Sequence, residues 1–322
     1  MSSGPLTPGT RIGRYEVVAH LATGGMGEVY KARDVELGRI VALKVLPTHL
    51  SENANSVERF RREARHAARL SHKNIVTLYD WGQDGGTWFL ALEFVDGTDL
   101  NSYINSRGRL DPQEAWLITI QAVRALDHAF QRGVVHRDIK PSNFLLTRQG
   151  RKVRVKLTDL GVARAIRDED YRVTRAGTTV GTLDYLAPEQ ALDSHAVDAR
   201  ADVYSLGATF YFLLTGRSPF RGAAAPLRDL RPDLPAGLAA IVERMLALTP
   251  AERYQSAADV AAALLPWVQR PVPPPTSEDL RRPDPTARQA GETAEELGAL
   301  TPLSGSLGSL DCTGCVESAT CE

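Results

Sequence analysis

The period of apolar positions changes along the chain, and each change marks a different kind of element. Residues 15–46 alternate apolar and polar side chains between turn signals. Tyr15-Glu16-Val17-Val18 starts a strand, Thr23-Gly24-Gly25-Met26-Gly27 makes a turn, and Glu28-Val29-Tyr30-Lys31-Ala32 resumes the strand pattern. After Leu37-Gly38-Arg39 a further strand runs from Ile40 to Leu46. Short alternating runs joined by turns predict an antiparallel meander rather than strand–helix crossovers. From Ser56 the period becomes helical: Val57, Phe60, Ala64 and Ala67 recur at steps of three and four, with Arg on the other face. Strands return at Ile75–Tyr79 and Trp88–Phe94.

Beyond Asp99 the pattern is mostly helical. Asp111-Pro112-Gln113-Glu114 predicts an N-cap, a Pro in the first turn and a reciprocal Glu at the third helical position. The helix it opens buries Ile118, Ala122, Ala125, Leu126 and Ala129 and stops at Gly133. Asp202 to Thr215 is a second apolar helix closed by Gly216, and Leu238–Leu248 and Ala257–Leu265 are two more, separated by Thr249-Pro250. The order predicts an α+β chain: a small β lobe with one helix, about residues 15–95, then a larger helical lobe, about 96–268. Residues 1–14 form an N-terminal extension. Six Pro fall between Pro271 and Pro285, and an acidic, Ser/Thr/Gly-rich stretch follows. Such a segment buries too little apolar area to offset chain entropy. Residues 269–322 are therefore expected to be a largely disordered tail.

Charge refines this division. The net charge of -1 is uneven, because residues 271–322 carry three Arg against nine Asp and Glu, leaving residues 1–270 at +5. That balance suits a small anionic ligand and is too scattered for a nucleic-acid footprint. No apolar run approaches the ~20 residues of a membrane span, and Met1–Arg14 is too polar for a signal peptide. Cys312, Cys315 and Cys321 are the only cysteines. No disulfide staples residues 1–311, as expected of a cytoplasmic protein.

The chemistry concentrates in Val134-Val135-His136-Arg137-Asp138-Ile139-Lys140-Pro141-Ser142-Asn143-Phe144-Leu145-Leu146. Asp138, Lys140 and Asn143 lie between two apolar runs that read as short strand-like clamps, so a polar loop would be held in register by core anchors. The chain resembles a bacterial-type serine/threonine protein kinase. Its loop matches H-R-D-x-x-x-x-N, and Gly-Met-Gly-Glu-Val-Tyr, His-Arg-Asp-Ile-Lys-Pro-Ser-Asn and Leu-Ala-Pro-Glu-Gln look like the bacterial branch. The resemblance covers about Tyr15 to Val268.

The resemblance implies a two-lobed fold that transfers the γ-phosphoryl of Mg·ATP to protein Ser/Thr hydroxyls. Leu21, Ala22, Thr23, Gly24, Gly25, Met26, Gly27, Glu28 and Val29 would cover the phosphates and base, with Ala22 replacing the family's first Gly. Lys44 and Glu63 match the strand Lys and helix Glu that orient the phosphates. Glu93 and Val95 fall in the hinge that reads adenine, and Leu92 at the gatekeeper position. Asp138 matches the catalytic base and Lys140 the residue that neutralises the transferring group. Asn143 and Asp159 would hold Mg2+, Asp159 heading D-L-G where the family has D-F-G. Arg137 would pair with a phosphate at Thr174, Thr178 or Thr179 on the activation segment. Thr182, Glu189, Asp202 and Arg253 match structural supports. Arg221 to Leu234, broken by Pro226 and Pro232, is too short for the family's substrate-docking helix. A pseudokinase scaffold and a small-molecule phosphotransferase are the rivals.

The last residues allow three readings. Ser304 to Cys321 gathers every Cys of the protein into one hydroxyl-rich peptide. It reads as an acidic disordered tail, as a Cys312/Cys315 redox pair, or as a peptide resembling a lanthipeptide-type precursor. In such precursors Ser and Thr are phosphorylated, dehydrated and attacked by Cys. The last reading makes the tail a tethered substrate of its own kinase.

Overall fold

The alternating N-terminal pattern folds into a six-stranded antiparallel sheet. Its strands are β1 (Arg11–Ile12), β2 (Tyr15–Gly24), β3 (Gly27–Asp34), β4 (Ile40–Val45), β5 (Leu78–Asp84) and β6 (Thr87–Glu93), in the order β1-β2-β3-β4-β6-β5. The computed structural model describes residues 6–24, 27–46, 48–150, 152–159, 183–192, 197–219, 225–267, 275–276 and 278–281. The inward positions Tyr15, Val17, Tyr30, Ala32, Val41 and Leu43 alternate with outward ones and build one core. The N-terminal extension contributes to it. Ile12 pairs with Tyr15 and is 5% exposed, and Leu6 packs on the same cluster, so the lobe begins before Tyr15.

After α1 (Thr48–Ser51), α2 (Ala54–Ala68) opens on Asn53, whose side chain accepts from the Asn55 and Ser56 amides. It buries Phe60, Glu63, Ala64 and Ala67. The strand expected at Ile75–Tyr79 lies further on, as β5. Ile75 and Val76 are buried instead against Leu157, through a parallel bridge and a 2.9 Å amide hydrogen bond.

The larger lobe contains a sheet of β7 (Gly97–Asp99), β8 (Phe144–Gln149) and β9 (Lys152–Leu157), all antiparallel. Gly97 is required there, because a Cβ would sit 1.8 Å from the Leu146 carbonyl oxygen. Its helices are α3 (Leu100–Arg107), α4 (Pro112–Phe130), α5 (Pro188–Leu192), α6 (Ala199–Thr215), α7 (Leu227–Leu230), α8 (Ala236–Met245) and α9 (Ala257–Leu264). Asp111 caps α4 by accepting from the Gln113 amide. Glu114 does not complete a capping box. Its carboxylate takes the Tyr103 hydroxyl at 2.5 Å and the Arg107 guanidinium at 3.1 Å, partners that sequence spacing could not anticipate. α6 is buried from Ala201 to Leu214 and ends on Gly216 at φ 70°, a left-handed position that favours glycine. α8 stops at Met245, leaving Leu248 56% exposed. Val134 is buried without joining a strand, so only the Phe144 side of the polar loop is strand-anchored.

Between Arg221 and Leu234 the described residues form only the single turn α7. Leu227 and Leu234 enter the core, and Arg231, 4% exposed, donates to the Leu110 and Leu214 carbonyls at 3.1 and 2.6 Å. Asp233 pairs with the same guanidinium through two 2.8 Å contacts. One cation thus closes the C-terminal end of α6. The lobe also extends past Val268: Leu280 is 8% exposed in the core, and Asp279 lies 3.5 Å from Arg107. The boundary expected at residue 268 therefore falls too early. Residues 282–322, with the whole Cys-containing peptide, lie outside the described residues. Among the described residues no helix is long and apolar enough to cross a membrane.

Arg253 is 0% exposed and joins three parts of this lobe. It grips Glu189 at 2.6 and 2.8 Å and donates to the Ala247, Leu248 and Arg200 carbonyls. Truncating one member of such a set strands the others, at roughly 3 kcal/mol or more. Arg253→Met should lose about that much stability in urea unfolding. A loss below about 1 kcal/mol would mean that α5 is held by other contacts.

Candidate active site

The polar loop from His136 to Asn143 is shaped from beneath by Asp202 on α6. The Asp202 oxygens accept the His136 and Arg137 amides, each at 2.7 Å. Arg137 can present its amide this way because its φ is 65°, an uncommon conformation for a residue with a Cβ. His136 is fully buried. Its Nδ1 accepts the Asp138 amide at 3.3 Å, and its Nε2 meets the Thr158 carbonyl at 2.9 Å. Both ring nitrogens are thus engaged in shaping the loop. Gln190 adds a tie that the sequence reading missed. Its amide nitrogen donates to the Arg137 carbonyl at 2.9 Å, and its oxygen accepts the Ala187 amide at 3.2 Å. Its place directly after Ala187-Pro188-Glu189 was the available signal.

Upon this frame the structure brings Asp138, Lys140 and Asn143 together. The Lys140 ammonium is 3.0 Å from Asp138 Oδ2. Asn143 Nδ2 donates to the Asp138 carbonyl at 2.7 Å and to Oδ2 at 3.1 Å. That orientation turns the Asn143 Oδ1 atom away from Asp138. The Thr158 amide bonds the Asn143 carbonyl at 3.0 Å, tying the end of β9 to the loop. Asp159 follows at φ 58°.

Lys44 on β4 joins the two lobes. Its ammonium lies 2.8 and 3.1 Å from the Glu63 oxygens on α2 and 2.8 Å from Asp159 Oδ1. Lys44 is 7% exposed and Glu63 3%. Burial alone would lower the Lys44 pKa, but the charges of Asp159 and Glu63 outweigh it and raise it, so the side chain stays an ammonium. Burial likewise disfavours the Asp159 carboxylate, yet Lys44 holds its pKa below the usual range. For Asp202, burial dominates over the facing amides and His136, and its pKa is raised.

Leu21, Ala22, Thr23 and Gly24 end β2, while Gly27, Glu28 and Val29 begin β3. Val29 lies opposite Lys44 in the sheet register. Glu93 is held by Lys156 at 2.6 Å, and Val95 is 4% exposed. Gly25, Met26, Thr174, Thr178, Thr179 and Thr182, and the Leu160-Gly161 pair, lie outside the described residues. A separate cavity of about 540 Å³, lined by His72, Lys73, Tyr79, Glu93 and Lys156 among others, holds none of Lys44, Asp138, Asn143 or Asp159.

A small antiparallel lobe and a helical lobe, joined by an ammonium between two carboxylates, define the protein-kinase fold. The protein kinase domain model matches residues 15–262. The kinase PknA of Mycobacterium tuberculosis is 40% identical over 303 residues, covering 88% of this chain and 69% of PknA. Mycobacterium tuberculosis PknB is 40% identical over 276 residues, covering 80% of this chain and 44% of PknB. The crystal structure of the Mycobacterium tuberculosis PknI kinase domain superposes with a TM-score of 0.65 at 34% identity, over 81% of this chain and 98% of that one. The chain belongs to the bacterial, Hanks-type serine/threonine protein kinases. As a family member it uses ATP and a divalent metal.

The Asp202 carboxylate serves two amides where an asparagine offers one oxygen. Asp202→Asn should therefore orphan one loop amide and cost about 1–3 kcal/mol. Thermal unfolding compared with wild type measures it, and an unchanged midpoint would show the loop to be held without this carboxylate.

Proposed function

We propose that this serine/threonine protein kinase binds Mg·ATP between its lobes, with Asp138 as the base that receives the proton of the protein hydroxyl. The observation that carries the reading is the Lys44 bridge, which gathers Glu63 and Asp159 from 19 and 115 residues away. An ammonium held there would meet the α- and β-phosphates. Asn143 and Asp159 offer an amide oxygen and a carboxylate, a hard donor set that fits Mg2+. Bound there, the ion would neutralise charge on the β- and γ-phosphates. Lys140, already beside Asp138 Oδ2, would meet the negative charge of the transferring group. The Asn143 amide would orient the base. The glycine-rich turn would cover the phosphates, and Glu93 to Val95 would contact adenine. Little covalent chemistry is required, so position and charge do most of the work. A scaffold without catalysis is not favoured, because Lys44, Asp138, Asn143 and Asp159 are all present, and a small-molecule phosphotransferase is not favoured, because it would lack the Glu189/Arg253 pair.

Asp138→Asn keeps the size of the side chain and removes the base. Turnover should fall at least a hundredfold while nucleotide binding changes little. Retention of more than about a tenth of the wild-type rate, ~1.4 kcal/mol of barrier, would remove Asp138 from that role.

The finer reading concerns what is phosphorylated. Autophosphorylation at Thr174, Thr178 or Thr179 would supply an anion for Arg137. With only one helical turn among the described residues between Arg221 and Leu234, free substrates would be captured weakly. A peptide on the same chain gains effective concentration from its linker. The Ser and Thr residues from Ser304 to Thr320 are the proposed tethered acceptors, in a domain working in the cytoplasm, where ATP is supplied. Phosphosite mapping by mass spectrometry after incubation with Mg·ATP tests both points, and phosphate is expected on the activation segment and on the C-terminal peptide. An active enzyme without phosphate on Ser304, Ser306, Ser309, Thr313, Ser318 or Thr320 would exclude the tail as substrate.

A further inference from the structure

Tyr30 lies on β3, three residues after Gly27, and is fully buried in the small-lobe core, yet its hydroxyl is the meeting point of two hydrogen bonds. It donates to Glu28, which directly follows Gly27, and accepts the Leu6 amide at 2.9 Å. The ring meets His20 edge to face at 5.3 Å, and His20 Nε2 lies 3.1 Å from the Thr23 hydroxyl. One side chain therefore touches both arms of the turn: Glu28 directly on β3, and Thr23 through His20 on β2. Leu6 is fixed in turn, since its side chain packs on the small-lobe core. The backbone after it is tied to β2, with Gly9 N–H bonding Val17 O and Val17 N–H bonding Thr10 O, each at 2.9 Å. Burial and the Glu28 hydrogen bond push the Tyr30 phenol up to about 12, so it remains a donor at neutral pH.

We propose that the segment from Leu6 to Ile12 is a positioning strap for the nucleotide-covering turn, acting through Tyr30 as the positioning residue. A turn rich in glycine has many backbone states, and holding it near the phosphates costs conformational entropy. A fixed hydroxyl linking Glu28 to an anchored strap reduces that cost before nucleotide arrives. The effect belongs to binding rather than to the chemical step, since neither Tyr30 nor Leu6 reaches Asp138 or Lys44. This inference rests on the proposed ATP site.

The test is steady-state kinetics of the full chain with ATP varied, for wild type, Tyr30→Phe, a deletion of residues 2–6, and the two combined. Tyr30→Phe removes only the hydroxyl, and the deletion removes the Leu6 amide. Each should raise KM for ATP roughly three- to tenfold, the worth of one buried hydrogen bond, with kcat within twofold of wild type. The combination should be no worse than the more affected single variant, because both break one path. Thermal unfolding checks that each variant is folded. An unchanged KM in either single variant, a matching fall in kcat, or multiplicative effects on combination would overturn the strap. Failure of the ATP-site reading would look different: the wild type itself would show no saturable dependence on ATP.

Discussion

Lys44 is the constraint on which the rest depends. An ammonium 7% exposed is untenable without counter-charges, and the counter-charges come from parts of the chain 19 and 115 residues away. Glu63 requires α2 to lie against the sheet, and Asp159 requires the end of β9 to reach it. The pair stabilises little on its own, since desolvation consumes most of the Coulombic gain. Its consequence is specificity. Any displacement of α2 or Asp159 leaves a buried charge unmatched, so the small lobe, the helix and the Asp159 segment are held in one arrangement.

The larger lobe solves a related problem with backbone groups. The loop carrying Asp138 turns sharply at Arg137, and such a turn would leave amides without partners inside the protein. Asp202 takes two of them and Gln190 takes the Arg137 carbonyl, while His136 engages both ring nitrogens in bonds to the chain on either side. The loop that carries Asp138, Lys140 and Asn143 is thereby fixed by residues outside that trio. Arg253 extends the same logic outward to Glu189, so the segment ahead of α5 is tied to the loop through Gln190 and to the lobe through Arg253.

How much of this was legible in the sequence depended on the range of the interaction. The small sheet, α2, α4 and α6 were readable, because apolar period and turn residues act within a few positions. Lys44, Glu63, Asp138 and Asn143 were readable because their offsets recur in the family they resemble. Partners chosen in three dimensions were not. Glu114 had the spacing of a capping residue and was taken by Tyr103 and Arg107. Ile75 and Val76 had the composition of a strand and became the buried link to Leu157. Leu280 sits amid prolines and acids, and it is buried next to Asp279, whose partner Arg107 lies 172 residues earlier in the chain. Leu6 and Ile12 were hidden by a polar, Gly- and Pro-containing context.

The link at Ile75 and Val76 is a second tie between the lobes. Asn74, fully buried, donates to Gln121 of α4 at 3.0 Å and to the Val155 carbonyl at 2.8 Å, while the Val155 amide bonds Gln121. The chain that leaves α2 is therefore bolted to the large lobe within a few residues of the helix end. The helix itself packs on the sheet, where Phe60 and Ala64 share a core cluster with Leu46 and Leu90. The small lobe thus meets the large one at two places of different chemistry: backbone and amide hydrogen bonds around Asn74 and Val76, and the Lys44 ammonium between Glu63 and Asp159. The first joins neutral groups that any well-placed partner would satisfy, whereas the second demands opposite charges at one point, so the register of the lobes is set more strictly at Lys44.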